Sequence, residues 1–143
     1  MNSGLNLYFA WLWILLGFVS GMVLGLFFHG ENWLGGYSSF KRRMYRLGHI
    51  SFFGLGALNL LFWLTARQLS PGPLTGWASL AFIIGGITMP LCCLIMAHCP
   101  KARLVFALPV LNLIAGGTLM LLLLHASEAP VLSVLNTLAS THK

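Results

Sequence analysis

Apolar residues run along this chain in four long blocks. No formal charge falls within residues 1–30, 47–66, 68–100 or 104–127. A helix needs ~20 mostly apolar residues to cross the ~30 Å hydrocarbon core of a bilayer. The pattern therefore predicts membrane-spanning helices near 7–28, 47–66, 77–98 and 104–124. The fold class expected is an all-α integral membrane protein, a four-transmembrane-helix bundle making one domain over 1–143. The first block is expected to stay in place as a helix. No basic residue precedes it, its apolar run is too long, and no small-residue cleavage site follows, so it does not read as a signal peptide.

The polar positions between the blocks give the topology. Residues 29–46 read as a basic cytoplasmic loop. They hold Lys41, Arg42, Arg43 and Arg46, interleaved with Trp33, Tyr37, Phe40 and Tyr45. The turn at 99–103 adds Lys101 and Arg103, and the opposite connection, SPGPLTG at 70–76, is a proline–glycine turn preceded by Arg67. The positive-inside rule puts both basic segments in the cytoplasm and both termini outside, N-out and C-out. Past the last block, Ser133, Asn136, Thr137 and Ser140 recur at i, i+3, i+4 and i+7. That polar stripe predicts a short C-terminal amphipathic helix near 131–140, lying at the interface.

Composition agrees. Of 143 residues, 58% are hydrophobic and 7% charged, against ~25% charged in soluble domains. The partner is a lipid bilayer, and the expected location is a bacterial inner (cytoplasmic) membrane. The net charge of +6 does not point to nucleic acid, because six of the eight Lys and Arg residues lie in the two basic segments. Glu31 and Glu128 are the only acids. That scarcity argues against paired-carboxylate glycosidases, magnesium and two-metal sites, and pumps carrying an intramembrane acid.

Candidate chemistry comes from histidine, sulfur and helix breakers. His29 ends the first span, His49 opens the second and His98 ends the third, so all three fall on the basic side. Imidazole ligates transition metals and haem iron, and a haem b between two helices needs no carboxylate. The stretch MPLCCLIMAHCP at 89–100 places Met89, Cys92, Cys93 and Met96 on one helix face at ~100° per residue. Such soft ligands suit Cu(I), but the same residues are ordinary apolar fillers, and packing is the simpler reading. Neither CxxC nor a zinc-type spacing occurs. Gly17, Gly21 and Gly25 repeat every four residues, a stripe that lets a second helix approach backbone to backbone.

Asn59 and Asn112 are expected to be buried amides joining the second and fourth helices. They sit in similar settings, LNLL and LNLI, which hints at a weak internal repeat. Pro90 and Pro109 fall inside the third and fourth spans, and the carbonyl that Pro90 frees belongs to Gly86. Transporters use such breaks to hold ions.

Three functions follow, in order. The first is a non-catalytic subunit or assembly factor of a larger membrane complex, working with other membrane subunits or as a homo-oligomer. The second is a haem b- or metal-binding redox protein on His29, His49 and His98. The third is a small copper or solute transporter using the sulfur stripe and the helix breaks.

Overall fold

A computed structural model describes the backbone of residues 4–69 and 72–141, and side chains as far as Ser127. The described chain is helical, with four helices long and apolar enough to cross a membrane. They are α1 (Gly4–Phe27), α2 (Phe40–Ala66), α3 (Pro73–His98) and α4 (Ala107–Thr141). Two short 3-10 segments, Trp33–Gly35 and Pro100–Phe106, lie in the connections at one end of the bundle. The first turns of α2 carry Lys41, Arg42, Arg43 and Arg46 and the second connection carries Lys101 and Arg103, so we call this the basic end.

The four expected spans are present, and their ends move for local reasons. Helix α2 starts at Phe40, so the last third of the expected 29–46 loop is helix instead. Ser39 is its N-cap and accepts the backbone N–H of Arg42 at 3.2 Å. Lys and Arg are good helix formers whose stems lie along apolar surface while their charges reach the interface. Helix α3 starts at Pro73, where a fixed φ and a missing N–H suit the first helical position. Helix α4 does not stop near 124 but runs on to Thr141, through Pro130. The polar stripe expected at 131–140 involves side chains outside the described residues.

The helices stack in chain order. Helix α1 lies on α2, α2 on α3 and α3 on α4, with a slight touch between α1 and α3. Helix α4 therefore stands beside a three-helix core. At the end opposite the basic loops, Phe62 and Ala66 of α2 meet Ala78 and Phe82 of α3, with Leu113 of α4 against them.

A buried polar knot joins the first three helices. Asn6, Asn59 and Ser79 are almost wholly withdrawn from solvent. The Asn6 amide donates to Asn59 Oδ1 at 2.8 Å, and Ser79 Oγ donates to Asn6 Oδ1 at 2.5 Å. The Asn59 amide donates to the Leu55 carbonyl at 2.9 Å and reaches the Phe82 carbonyl of α3 at 3.4 Å. Each amide is satisfied, as hydrocarbon requires. Asn59 thus ties α2 to α1 and α3, not to α4 as expected. Asn112 bonds back to the Leu108 carbonyl of its own helix at 2.8 Å and links nothing. The two asparagines have unlike surroundings, so the suggested repeat has no structural counterpart in them.

The carbonyls freed by Pro90 and Pro109 have found donors. Pro90 cannot bond the Gly86 carbonyl, and the indole N–H of Trp13 on α1 donates to it at 3.0 Å. Phe9 stacks on that indole with ring centroids 4.0 Å apart. Pro109 lies in the first turn of α4, not in mid-helix, and the N–H it lacks would have faced the Val105 carbonyl. Cys92 Sγ of α3 approaches that oxygen at 3.3 Å. The Gly86 carbonyl is therefore not open to an ion. Trp13→Phe keeps an aromatic ring beside Phe9 but removes the donor. It is expected to lower stability by about 1–2 kcal/mol in unfolding titrations of the detergent-solubilised protein. Unchanged stability would mean that another donor serves Gly86.

Candidate functional site

A cavity of about 470 Å³ opens among α1, α2 and α3 at the basic end. Its volume lies within the ~300–1,000 Å³ common to small-molecule sites. The last two turns of α1 give it Ser20, Leu24 and Phe27, and the start of α2 gives Tyr45, His49 and Phe52. Pro90 and Leu94 of α3 close the third side, and Trp33 and Leu34 form a roof. Most of the wall is apolar. The lining residues with polar side-chain atoms are Ser20, Trp33, Tyr45 and His49.

The roof is tied down locally. Leu34 has φ 54° and ψ 28°, in the left-handed region that non-glycine residues seldom enter. Gly35 and Gly36 follow with φ of 85° and 91°, where glycine carries no steric penalty. Ser39 Oγ donates to the Leu34 carbonyl at 2.7 Å while capping α2. Beside it Arg42 is 2% exposed, an unusual burial for a guanidinium. Arg42 donates to the Phe28 carbonyl at 2.8 Å and lies 4.6 Å from the centre of the Phe28 ring. Trp33 and Tyr37 approach the same cation at 5.5 and 5.4 Å. Aromatic faces and one carbonyl stand around it, and its Nε has no partner among the described residues.

His49 occupies the centre of the site. Its Nδ1 lies 3.0 Å from Ser20 Oγ, and Ser20 Oγ donates to the Gly17 carbonyl at 3.0 Å. A serine hydroxyl has one proton. That proton serves either the Gly17 carbonyl or His49 Nδ1, according to the imidazole tautomer, and in both arrangements the ring is held at Nδ1. Phe53 meets the ring edge-on at 5.4 Å and 87°. Gly21 makes the room, since a Cβ there would stand 2.8 Å from His49 Cε1.

The three expected histidines do not converge. His29 is exposed beyond the end of α1, and only His49 lines the cavity. His98 is exposed and shares a hydrogen bond of 3.0 Å with Tyr45, whose ring also lines the cavity. Among the described residues no three His, Cys, Asp or Glu side chains form a metal-holding group. The chain brings the three to one end of the bundle, but at different positions around it.

The sulfur stripe also divides. Cys92 turns toward Val105, whereas Cys93 is fully buried beneath Gly48 of α2, its Cβ 3.3 Å from where a glycine Cβ would lie. Adjacent residues on a helix differ by ~100° in direction, so the two thiols serve different neighbours. Met89 and Met96 are half-buried.

The glycine stripe faces side chains of this same chain. Gly17 receives the Phe53 ring, with a Cβ position 2.8 Å from its edge, and Gly21 receives His49. A Cβ at Gly25 would meet nothing within 4 Å. The close approach of backbones occurs instead at Gly56, whose Cβ position is 3.1 Å from the Ala10 carbonyl.

Ser20, Tyr45, Trp13, Asn6, Ser79 and the burial of Arg42 were not singled out from the sequence. A lone Asn6 in an apolar run carries the same signal as Asn59. Ser20, three residues after Gly17 on the stripe, carries no signal until the helix pairing is known.

No family model, curated protein or solved structure matches this chain.

Proposed function

We propose that this is a non-catalytic membrane protein that holds a small, mostly apolar molecule against His49, as a subunit or assembly factor of a larger membrane complex. The observation that carries the reading is the anchored imidazole. Its Nδ1 is fixed by Ser20, its ring lines an apolar cavity, and its Nε2 has no partner among the described residues. A ring held at one nitrogen presents the other in a set direction, which is how a binding histidine is prepared for a ligand. The cavity walls supply burial and the few polar groups supply orientation. The basic segments favour a cytoplasmic placement of this end, in a bacterium at the inner membrane.

Haem b is the second reading, favoured by the same nitrogen. An imidazole with its far N–H hydrogen-bonded is the usual form of an axial iron ligand, and one histidine is enough for a five-coordinate haem.

The test is the protein purified in mild detergent, with its absorption spectrum, its Fe, Cu and Zn content and a mass spectrum of its organic extract. One small molecule near stoichiometry is expected in wild type and lost in His49→Ala. Iron with a haem spectrum would select the second reading. A wild-type protein carrying nothing above background, or an occupancy indifferent to His49→Ala, would retire both.

A further inference from the structure

We infer that the cavity is entered sideways from the bilayer and holds an acyl chain of an anionic phospholipid, whose headgroup stays at the basic end. This rests on the cavity being a binding site, and it adds the class of ligand and its route.

The route follows from how α1 and α3 meet. Among the described residues, every hydrogen bond between them involves Asn6 or Trp13, in the half of α1 far from the basic end. From Ser20 onward the two helices face each other across the cavity instead, with α2 behind it. Val23 and Phe27 of α1 and Leu94 of α3 line that space, yet they are 45%, 52% and 43% exposed. On spanning helices, outer surface means lipid tails, not water. Apolar side chains that both line a cavity and reach that surface mark a mouth open to hydrocarbon. Along the bundle axis the way is covered by Trp33 and Leu34, with Ser39 bonded to Leu34 and Arg42 against the Trp33 ring.

A ligand that passes such a mouth is already dissolved in the bilayer. The walls suit its hydrocarbon part, because Leu24, Phe52 and Leu94 offer apolar surface and little else. A charged headgroup does not follow the chain inward, since burying it among such walls is costly. It stays at the bilayer surface, and there charge selects it. The basic end carries Lys41, Arg42, Arg43, Arg46, Lys101 and Arg103 against one acid, Glu31. Lys41 stands four residues before Tyr45 and seven before Gly48, so it shares the face of α2 that both turn to the cavity. Basic side chains at a membrane surface favour anionic headgroups over zwitterionic ones.

The experiment titrates the full chain, stripped of lipid in nonionic detergent, with dioleoyl-phosphatidylglycerol or dioleoyl-phosphatidylcholine. Native mass spectrometry counts the lipids bound per chain. Wild type is expected to take up one phosphatidylglycerol well before any further lipid, ~10-fold more tightly than phosphatidylcholine. Leu94→Trp fills the mouth and should weaken that first adduct more than tenfold. Leu91→Trp is the control, because Leu91 is exposed on the same helix but does not line the cavity. Lys41→Gln should cut the preference for the anionic lipid ~3–5-fold, the scale of one basic residue near the surface. His49→Ala should remove the same adduct, as the binding reading requires. Val23→Trp, on the opposite lip, repeats the test if Leu94→Trp does not elute as a monodisperse species.

Lipids that add one after another with no distinct first adduct, or a first adduct indifferent to both tryptophans at the mouth, would reduce the effect to lipid coating the outer surface and overturn the inference. Equal affinity for the two lipids would overturn the choice of an anionic headgroup. No tight lipid, while another His49-dependent molecule copurifies, would overturn the ligand class and leave the binding reading standing. No tight lipid together with nothing copurified would remove both.

Discussion

Asn59→Leu is expected to destabilise the protein by about 2–3 kcal/mol, measured by unfolding titration in detergent micelles. The substitution removes the acceptor of the Asn6 amide and the donor to the Leu55 and Phe82 carbonyls. Leu55 and Phe82 retain their helical bonds. Asn6 does not recover, since its Nδ2 keeps only the 3.4 Å approach to the Ser79 carbonyl. A buried donor left without a good partner costs ~1–3 kcal/mol, and Asn6 is withdrawn from solvent. The double variant Asn6→Leu/Asn59→Leu tests the cause. With both amides gone the Asn6 donor is no longer orphaned, and only the Ser79 hydroxyl, which Asn6→Leu deprives of its acceptor in either background, is left over, so the loss should fall short of the sum of the single variants by ~1 kcal/mol or more. Strict additivity would show that the two amides do not act as a pair.

Gly21→Leu should have the largest effect on the site. A Cβ at position 21 would already meet His49 Cε1 at 2.8 Å, and the rest of a leucine would occupy the imidazole's place. The ring must leave Ser20, so loss of bound molecule by more than tenfold is expected, with a stability cost of ~1–3 kcal/mol from overpacking. Gly25→Leu is the control, since a Cβ there would meet nothing within 4 Å, and it should leave both quantities near wild type. The assignment is to a contact inside one chain, so the Gly21 effect should appear in protein that sediments as a monomer. If Gly21→Leu instead separated copies of the chain while leaving occupancy intact, the stripe would be an interface.

How much of this could be read beforehand follows from what each signal encodes. The spans were legible because uncharged apolar length is itself the physical requirement for crossing a bilayer. Ser39 and Pro73 moved two helix starts, and both residues are recognised as start signals only once the neighbouring backbone is placed. The site was half legible. Histidines at the ends of three spans predicted a shared site at one end; the structure places them toward that end but does not bring them together. Depth along the bundle follows from sequence position. Direction around the helix axis does not, and that is what separated His49, facing the cavity, from His29 and His98. The same gap explains Gly17 and Gly21: the stripe announced a close neighbour, and only the pairing of α1 with α2 shows it to be Phe53 and His49. Trp13 and Cys92 were hidden for a further reason. Each answers a defect created by a proline on another segment, and nothing in the local sequence of either residue announces the match.

The chain-order stacking also bears on how the protein is made. Helices leave a ribosome one after another, and here each packs mainly on the one before it. Helices α1 and α2 can pair through Gly56 and His49 as soon as both are in the bilayer. The arrival of α3 then completes the polar knot and closes the third wall of the cavity. Among the described residues helix α4 contributes none to the cavity or the knot. Biogenesis can therefore finish both before the last span is synthesised, and α4 is added to a core whose cavity is already walled.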